Sequence, residues 1–218
     1  MSERFDQFIA HLAEAEVAAD ACNQYAYADG FNAVRRENLR LYLHQMAARD
    51  PKVLLVGEAP GYQGCRRSGL NFTSDHLMLN PPPGVPILGA AAGYRMSPEY
   101  DRPRKEPSAA IVWEAIARTG LLPVIFAAYP FHPFQAGKPL SNRAPRADEL
   151  AQGRIFLAEM LGLFDFTIVL AVGNIAERSL SALGVDFIKL RHPSHGGKAA
   201  FMAGFAAVAR QVGKEHDR

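Results

Sequence analysis

The sequence predicts an α/β fold in which a four-stranded parallel sheet is covered by helices on both faces. Three observations predict it. Short runs such as Val53-Leu54-Leu55-Val56 are apolar throughout, as strands buried on both sides must be. Between these runs lie segments with apolar residues at three- and four-residue spacings, the period of a helix with one buried face. Glycines close two of those segments, at Gly120 and Gly184, where helices commonly end.

In chain order, Phe5–Cys22 and Val34–Met46 read as helices, and Lys52–Val56 as the first strand. From Gly57 to about Lys105 the chain is rich in Pro and Gly, with Pro81-Pro82-Pro83-Gly84 at its centre. So long a segment within a compact domain is usually functional, as a lid, a contact loop or a packed insertion, and it has room for short helices. Ser108–Thr119 reads as a helix, Val124–Ala128 as a strand and Ala147–Leu163 as a helix. Thr167–Val172 is a strand, Ile175–Leu183 a helix, Asp186–Leu190 a strand and Ala199–Val212 the closing helix. Strands that alternate with helices in this way pair in parallel. One domain over residues 1–218 is expected, with 1–50 as helical cover and 57–105 as a long active-site loop region.

At 218 residues and 49% hydrophobic content, the chain can bury a full core and is not disordered as a whole. No apolar stretch is long enough to span a bilayer, and Met1–Asp20 is amphipathic and acidic rather than signal-like. A cytoplasmic protein with no membrane partner is expected. Two cysteines, Cys22 and Cys65, are too few for a disulfide framework or a four-cysteine cluster. Cys65 adjoins Arg66 and Arg67, which would lower its pKa, but no base or second thiol stands beside it, and a structural role is expected.

The net charge of +2 hides an uneven distribution. No acid falls between Glu58 and Asp75, between Glu114 and Asp148, or between Asp186 and Glu215. Arg66, Arg67, Lys138, Arg143, Arg146, Lys189, Arg191 and Lys198 lie in those stretches, most of them flanking strand ends. An electropositive edge is therefore expected, and such an edge attracts a polyanion.

Two segments at strand ends carry chemistry. Gly57-Glu58-Ala59-Pro60-Gly61 follows the first strand; its glycines let a ligand approach the main chain, and Pro60 stiffens the turn. Glu58 stands where a carboxylate either orients a water or caps a nearby helix. His192-Pro193-Ser194 follows the last strand, and Gly196-Gly197 lets the backbone pass close to a nucleic-acid strand. Ligands of open α/β sheets bind beyond the carboxyl ends of the strands, so Glu58 and His192 should meet there. Phe72, set in Gly69-Leu70-Asn71-Phe72-Thr73-Ser74, is either a core anchor or a platform on which a base stacks. Asn142 and Arg143, before the helix that holds Asp148 and Glu149, either shape the helix start or bind phosphate.

GEAPGYQG, SGLNF, NRAPRADEL, VLAVGNIAERSL and HPS, in that order from about Val53 to Ser194, resemble the uracil-DNA glycosylase superfamily. The likeness is nearest to its branches whose first motif is GEAPG, among them the iron–sulfur type. The resemblance implies a three-layer α/β/α fold around a four-stranded parallel sheet. It also implies an enzyme that extrudes a base from DNA and hydrolyses its bond to deoxyribose with no cofactor or metal in the chemistry; a monomer is expected. On this chain the resemblance makes Glu58 the carboxylate that orients or activates water, and His192 the group that stabilises charge on the departing base. Phe72 would stack on that base; Gly57, Ala59, Pro60, Gly61 and Ser194 would line the pocket and phosphate path, and Tyr62 would help exclude larger or methylated bases. Arg66, Arg67, Asn142, Arg143 and Lys198 are the expected DNA contacts.

The chain departs from the family in three places. Its two cysteines cannot supply an iron–sulfur ligand set. Relatives read uracil with an Asn near the end of the second strand, where this chain has Phe126-Ala127-Ala128-Tyr129-Pro130; the nearest replacements are Tyr129, His132, Gln135 and Asn71. Relatives also follow HPS with an apolar wedge, where this chain has His195-Gly196-Gly197, which suits single-stranded or already disturbed DNA. Two alternatives stay open: a catalytically silent nucleic-acid-binding member, and a hydrolase of free nucleosides or nucleotides.

Overall fold

The structure, a computed structural model, describes residues 2–216. Its centre is a four-stranded parallel sheet built from β2 (Val53–Gly57), β3 (Val124–Ala127), β5 (Ile168–Val172) and β6 (Ile188–Leu190), in the order β3-β2-β5-β6. Every residue of β2 and β3 is buried, as expected of a sheet covered on both sides. Register places Gly57 opposite Ala127, Val56 opposite Ala171 and Val172 opposite Leu190, so the carboxyl ends of all four strands lie level.

The larger helices are α1 (Ser2–Glu14), α2 (Asn32–Ala47), α5 (Pro107–Thr119), α6 (Ala147–Leu163), α7 (Asn174–Ala182) and α8 (Lys198–His216). Helix α1 packs on α2 and α6, while α5 packs on α8, giving the three-layer α/β/α arrangement. One cluster of buried side chains runs through them, from Phe5 and Phe8 to Phe201 and Phe205, with Trp113 wholly buried among them. Among the described residues, no helix is long and apolar enough to cross a membrane.

One sequence-based expectation needs correction. The first helix ends at Glu14 rather than Cys22, because Asn23 folds back and donates to the Leu12 and Ala15 carbonyls at 2.8 and 2.9 Å, occupying the helix end. Ala21–Cys22 then forms a short strand, β1, antiparallel to β4 (His132–Pro133). Residues 57–105, expected as a long loop region with room for short helices, are mostly irregular and are tied to α2. They hold α3 (Cys65–Ser68), α4 (Asp75–Leu79) and a 3-10 turn at Ala90–Ala92. Buried Arg35 of α2 donates to the Arg67 carbonyl at 3.2 Å and to the Tyr100 hydroxyl at 2.9 Å, and pairs with Glu99. Asn38 ties the Ser68 and Arg95 carbonyls, each at 2.9 Å.

Candidate active site

The sheet order creates a crevice. The connection leaving β2 leads to β3 on one side, while that leaving β5 leads to β6 on the other, so the chain parts between β2 and β5. Ligands of such sheets bind at this switch point, beyond the carboxyl ends. A cavity of about 410 Å³ lies there, and Glu58, Phe72, Asn142, His192 and Ser194 are among its lining residues.

Glu58 follows β2 directly, and its main chain is fixed because its carbonyl accepts the Tyr129 amide at 3.1 Å. Its carboxylate faces the first turn of α7, where the backbone N–H of Ile175 and the positive end of the helix dipole favour an anion. Burial dominates and raises its pKa above the ordinary carboxylate value, against the opposing pull of Ile175, Arg191 and His195. The carboxylate reaches α7 because the N-cap is Gly173: a Cβ there would stand 2.6 Å from Glu58 Oε1, and φ is +87°.

His192 is held as a neutral donor. The Ser194 amide donates to its Nδ1 at 3.2 Å, so Nδ1 is an acceptor and the ring proton sits on Nε2. The Ser194 hydroxyl donates to the same Nδ1 at 2.7 Å and accepts from His195 Nδ1 at 2.9 Å. Burial, with Arg191 and His195 nearby, lowers the His192 pKa to about 4, so the ring is uncharged at neutral pH.

Phe72 stands across from it, ring centroids 5.8 Å apart and planes at 40°. It adopts φ +46°, a conformation unfavourable for a side-chain-bearing residue and maintained here by its surroundings. Trp113 Nε1 donates to its carbonyl at 2.9 Å, and its ring lies over Gly57, where any Cβ would collide with it. The wholly buried Trp113 of α5 thus positions a ring in the cavity.

Of the other expected residues, Gly57, Ala59, Pro60, Gly61 and Arg143 also line the cavity. Tyr62 does not; its part is a backbone N–H given to Asn142 Oδ1 at 3.0 Å. The expected basic edge is largely neutralised. Arg67 is buried, paired with Asp75 and stacked on Tyr100 at 3.5 Å. Arg143 chelates Glu149 at 2.6 and 2.7 Å, Arg146 reaches Asp20 at 2.6 Å, and Lys198 reaches Glu114 at 2.7 Å. Arg67 and Arg143 are thereby structural, their charges met by carboxylates inside the fold. Arg66 stays partly exposed and donates to the Pro139 carbonyl.

Two features escaped the sequence reading. Glu106 lines the cavity and caps α5, accepting the Ser108 and Ala109 amides at 3.1 Å each. Exposed Arg102, Arg104 and Lys105 share a shallow groove with Gln63 and form no ion pair among the described residues. Cys65 is buried and its thiol pushed up to about 12, which leaves it inert as a nucleophile.

No curated protein matches the chain. The crystal structure of wild-type Pedobacter heparinus SMUG2 is similar to it with a TM-score of 0.69 over 97% of this chain and 98% of that one, at 15% identity. The two share a fold. The family model for the uracil DNA glycosylase superfamily matches residues 44–210, from the end of α2 into α8, and so takes in every cavity-lining residue named above. The chain belongs to the uracil-DNA glycosylase superfamily, a family of DNA glycosylases.

Proposed function

We propose that the protein is a monofunctional DNA glycosylase of base-excision repair that hydrolyses the N-glycosidic bond of uracil or another deaminated base. One observation carries the reading: an ionisable carboxylate, a neutral imidazole and an aromatic ring face one cavity at the sheet's switch point. When the bond from C1′ to the base nitrogen breaks, its electron pair leaves with the base. His192 Nε2–H is placed to stabilise the negative charge that collects on a base carbonyl. The Glu58 carboxylate orients the water that attacks C1′ and offsets positive charge developing on the sugar. Among the described residues no lysine lines the cavity, which supports release by water rather than through an imine on the enzyme. After Ser194 the chain turns through left-handed His195 and Gly196 with no apolar wedge, which favours single-stranded or already disturbed DNA.

Glu58→Gln and His192→Ala test the assignment. Each is expected to lower single-turnover base release by about 10²–10⁴-fold, with affinity for the oligonucleotide near that of the unaltered protein. Release at the unaltered rate in both variants would remove these residues from the chemistry.

A further inference from the structure

The end of β3 presents no amide to the cavity: the residues that line it there are Phe126 and Ala127. Of the four candidate replacements, the three that follow β3 in sequence are excluded by position. Tyr129 is wholly buried, edge-on to Phe131 at 5.4 Å, and is absent from the cavity wall. His132 is wholly buried with Nε2 engaged by the Ser141 carbonyl at 2.8 Å. Gln135 is exposed and bridges to Lys138.

Asn71 is different. It is 7% exposed and lines the cavity, yet its side-chain amide has no hydrogen-bond partner among the described residues. Neither amide atom is sealed off like the orphaned Tyr129 hydroxyl; the surface Asn71 retains opens on the cavity. With no protein partner, the amide is free to exchange cavity water for the polar edge of a ligand. The backbone around it is fixed: Thr73 Oγ1 donates to the Asn71 carbonyl at 2.9 Å, Ser68 Oγ to the Leu70 carbonyl at 3.2 Å and Trp113 to the Phe72 carbonyl. Adjacent residues thus offer the cavity a ring face and an amide. A base stacked on Phe72 presents its polar edge sideways, and an amide holds one acceptor and one donor group for it.

Resting on the glycosylase reading, we propose that Asn71 is a specificity-determining residue of this chain, pairing with the lactam N–H and C=O of the extruded base. Oδ1 accepts the lactam N–H and Nδ2 donates to the carbonyl. Uracil and hypoxanthine carry that pair in the same arrangement, so one orientation of the Asn71 amide accepts both.

Two measurements test this on Asn71→Leu, which keeps the size and removes both polar atoms. The first is single-turnover release from single-stranded oligonucleotides carrying uracil or hypoxanthine, beside affinity for the undamaged strand. The expected result is a loss on the order of 10- to 100-fold in rate for both bases, with unchanged affinity. The second is binding of free uracil and of 3-methyluracil, whose N–H is blocked, followed by NMR. Methylation and Asn71→Leu should each weaken binding, and the two together should weaken it no further. An Asn71→Leu rate within two-fold of the unaltered protein, or equal binding of the two free bases, overturns the proposal. If the unaltered protein releases no base, the glycosylase reading fails while the free-base experiment still decides Asn71. Should Asn71→Leu not fold, Asn71→Ser serves in both.

Discussion

Gly173→Ala joins backbone, packing and chemistry in one perturbation. A Cβ at residue 173 would lie 2.6 Å from Glu58 Oε1, about 0.8 Å inside the 3.4 Å at which ordinary contact begins. The carboxylate must move, and at φ +87° and ψ 176°, a region essentially confined to glycine, the new side chain also strains the backbone by about 1–3 kcal/mol. For a chain of this size that strain lowers Tm by roughly 2–12 °C. A displacement approaching 1 Å in a reacting group costs on the order of 10²-fold in rate. Gly120→Ala is the control: its φ is +74° and nothing lies within 4 Å of the added carbon, so it suffers the strain without touching the site. Thermal melts and single-turnover release on both variants make the comparison. Gly173→Ala should lose stability and about 10- to 100-fold in rate, and Gly120→Ala stability alone. Equal rates in the two variants would refute the claim that Gly173 exists to let Glu58 reach α7.

Burial governs two further outcomes. His132 is wholly buried and its pKa is lowered from 6.5 to about 4 by that burial, so below pH 6.5 the unfolded chain takes a proton that the native ring refuses. Stability from this residue is intact above pH 6.5 and drains away as pH falls to 4, by about 2–3 kcal/mol. The stability difference between the unaltered protein and His132→Gln should shrink by that amount in urea titrations at pH 7 and pH 4; a difference independent of pH would contradict it. Arg67→Met leaves Asp75 buried without its partner and should destabilise the fold by about 3–5 kcal/mol, with the salt dependence of DNA binding unchanged. Arg66→Gln should leave stability nearly intact and lower the slope of log affinity against log salt by about 1, and the reverse pattern would refute the division between them.

The sheet was legible in the sequence because of the physics of parallel strands. A strand buried on both faces is apolar at every position, so β2, β3 and β5 stand out, and parallel pairing sends the loop after each strand to the same edge. That is why Glu58 and His192, far apart in the chain, share a cavity, and why Phe72 between glycine-flanked turns could be matched to it. The charge pattern misled because ion pairs ignore sequence windows. Lys198 meets Glu114, and Arg146 meets Asp20, across stretches without an acid. The end of α1 was hidden for a similar reason: Asn23, beyond the helix, returns to cap it. Glu106 read as one acid among several because its place at the cavity depends on α5 starting at Pro107. Asn71 could be named as a candidate but not chosen, since only the fold shows which of four polar side chains reaches the cavity.

The most direct test is a mass-spectrometric assay of base release from matched single- and double-stranded oligonucleotides carrying uracil, hypoxanthine or xanthine. Free base and an unbroken abasic strand are expected, with release faster from the single strand and lost in His192→Ala. Salt-sensitive binding without release of any base would contradict a glycosylase.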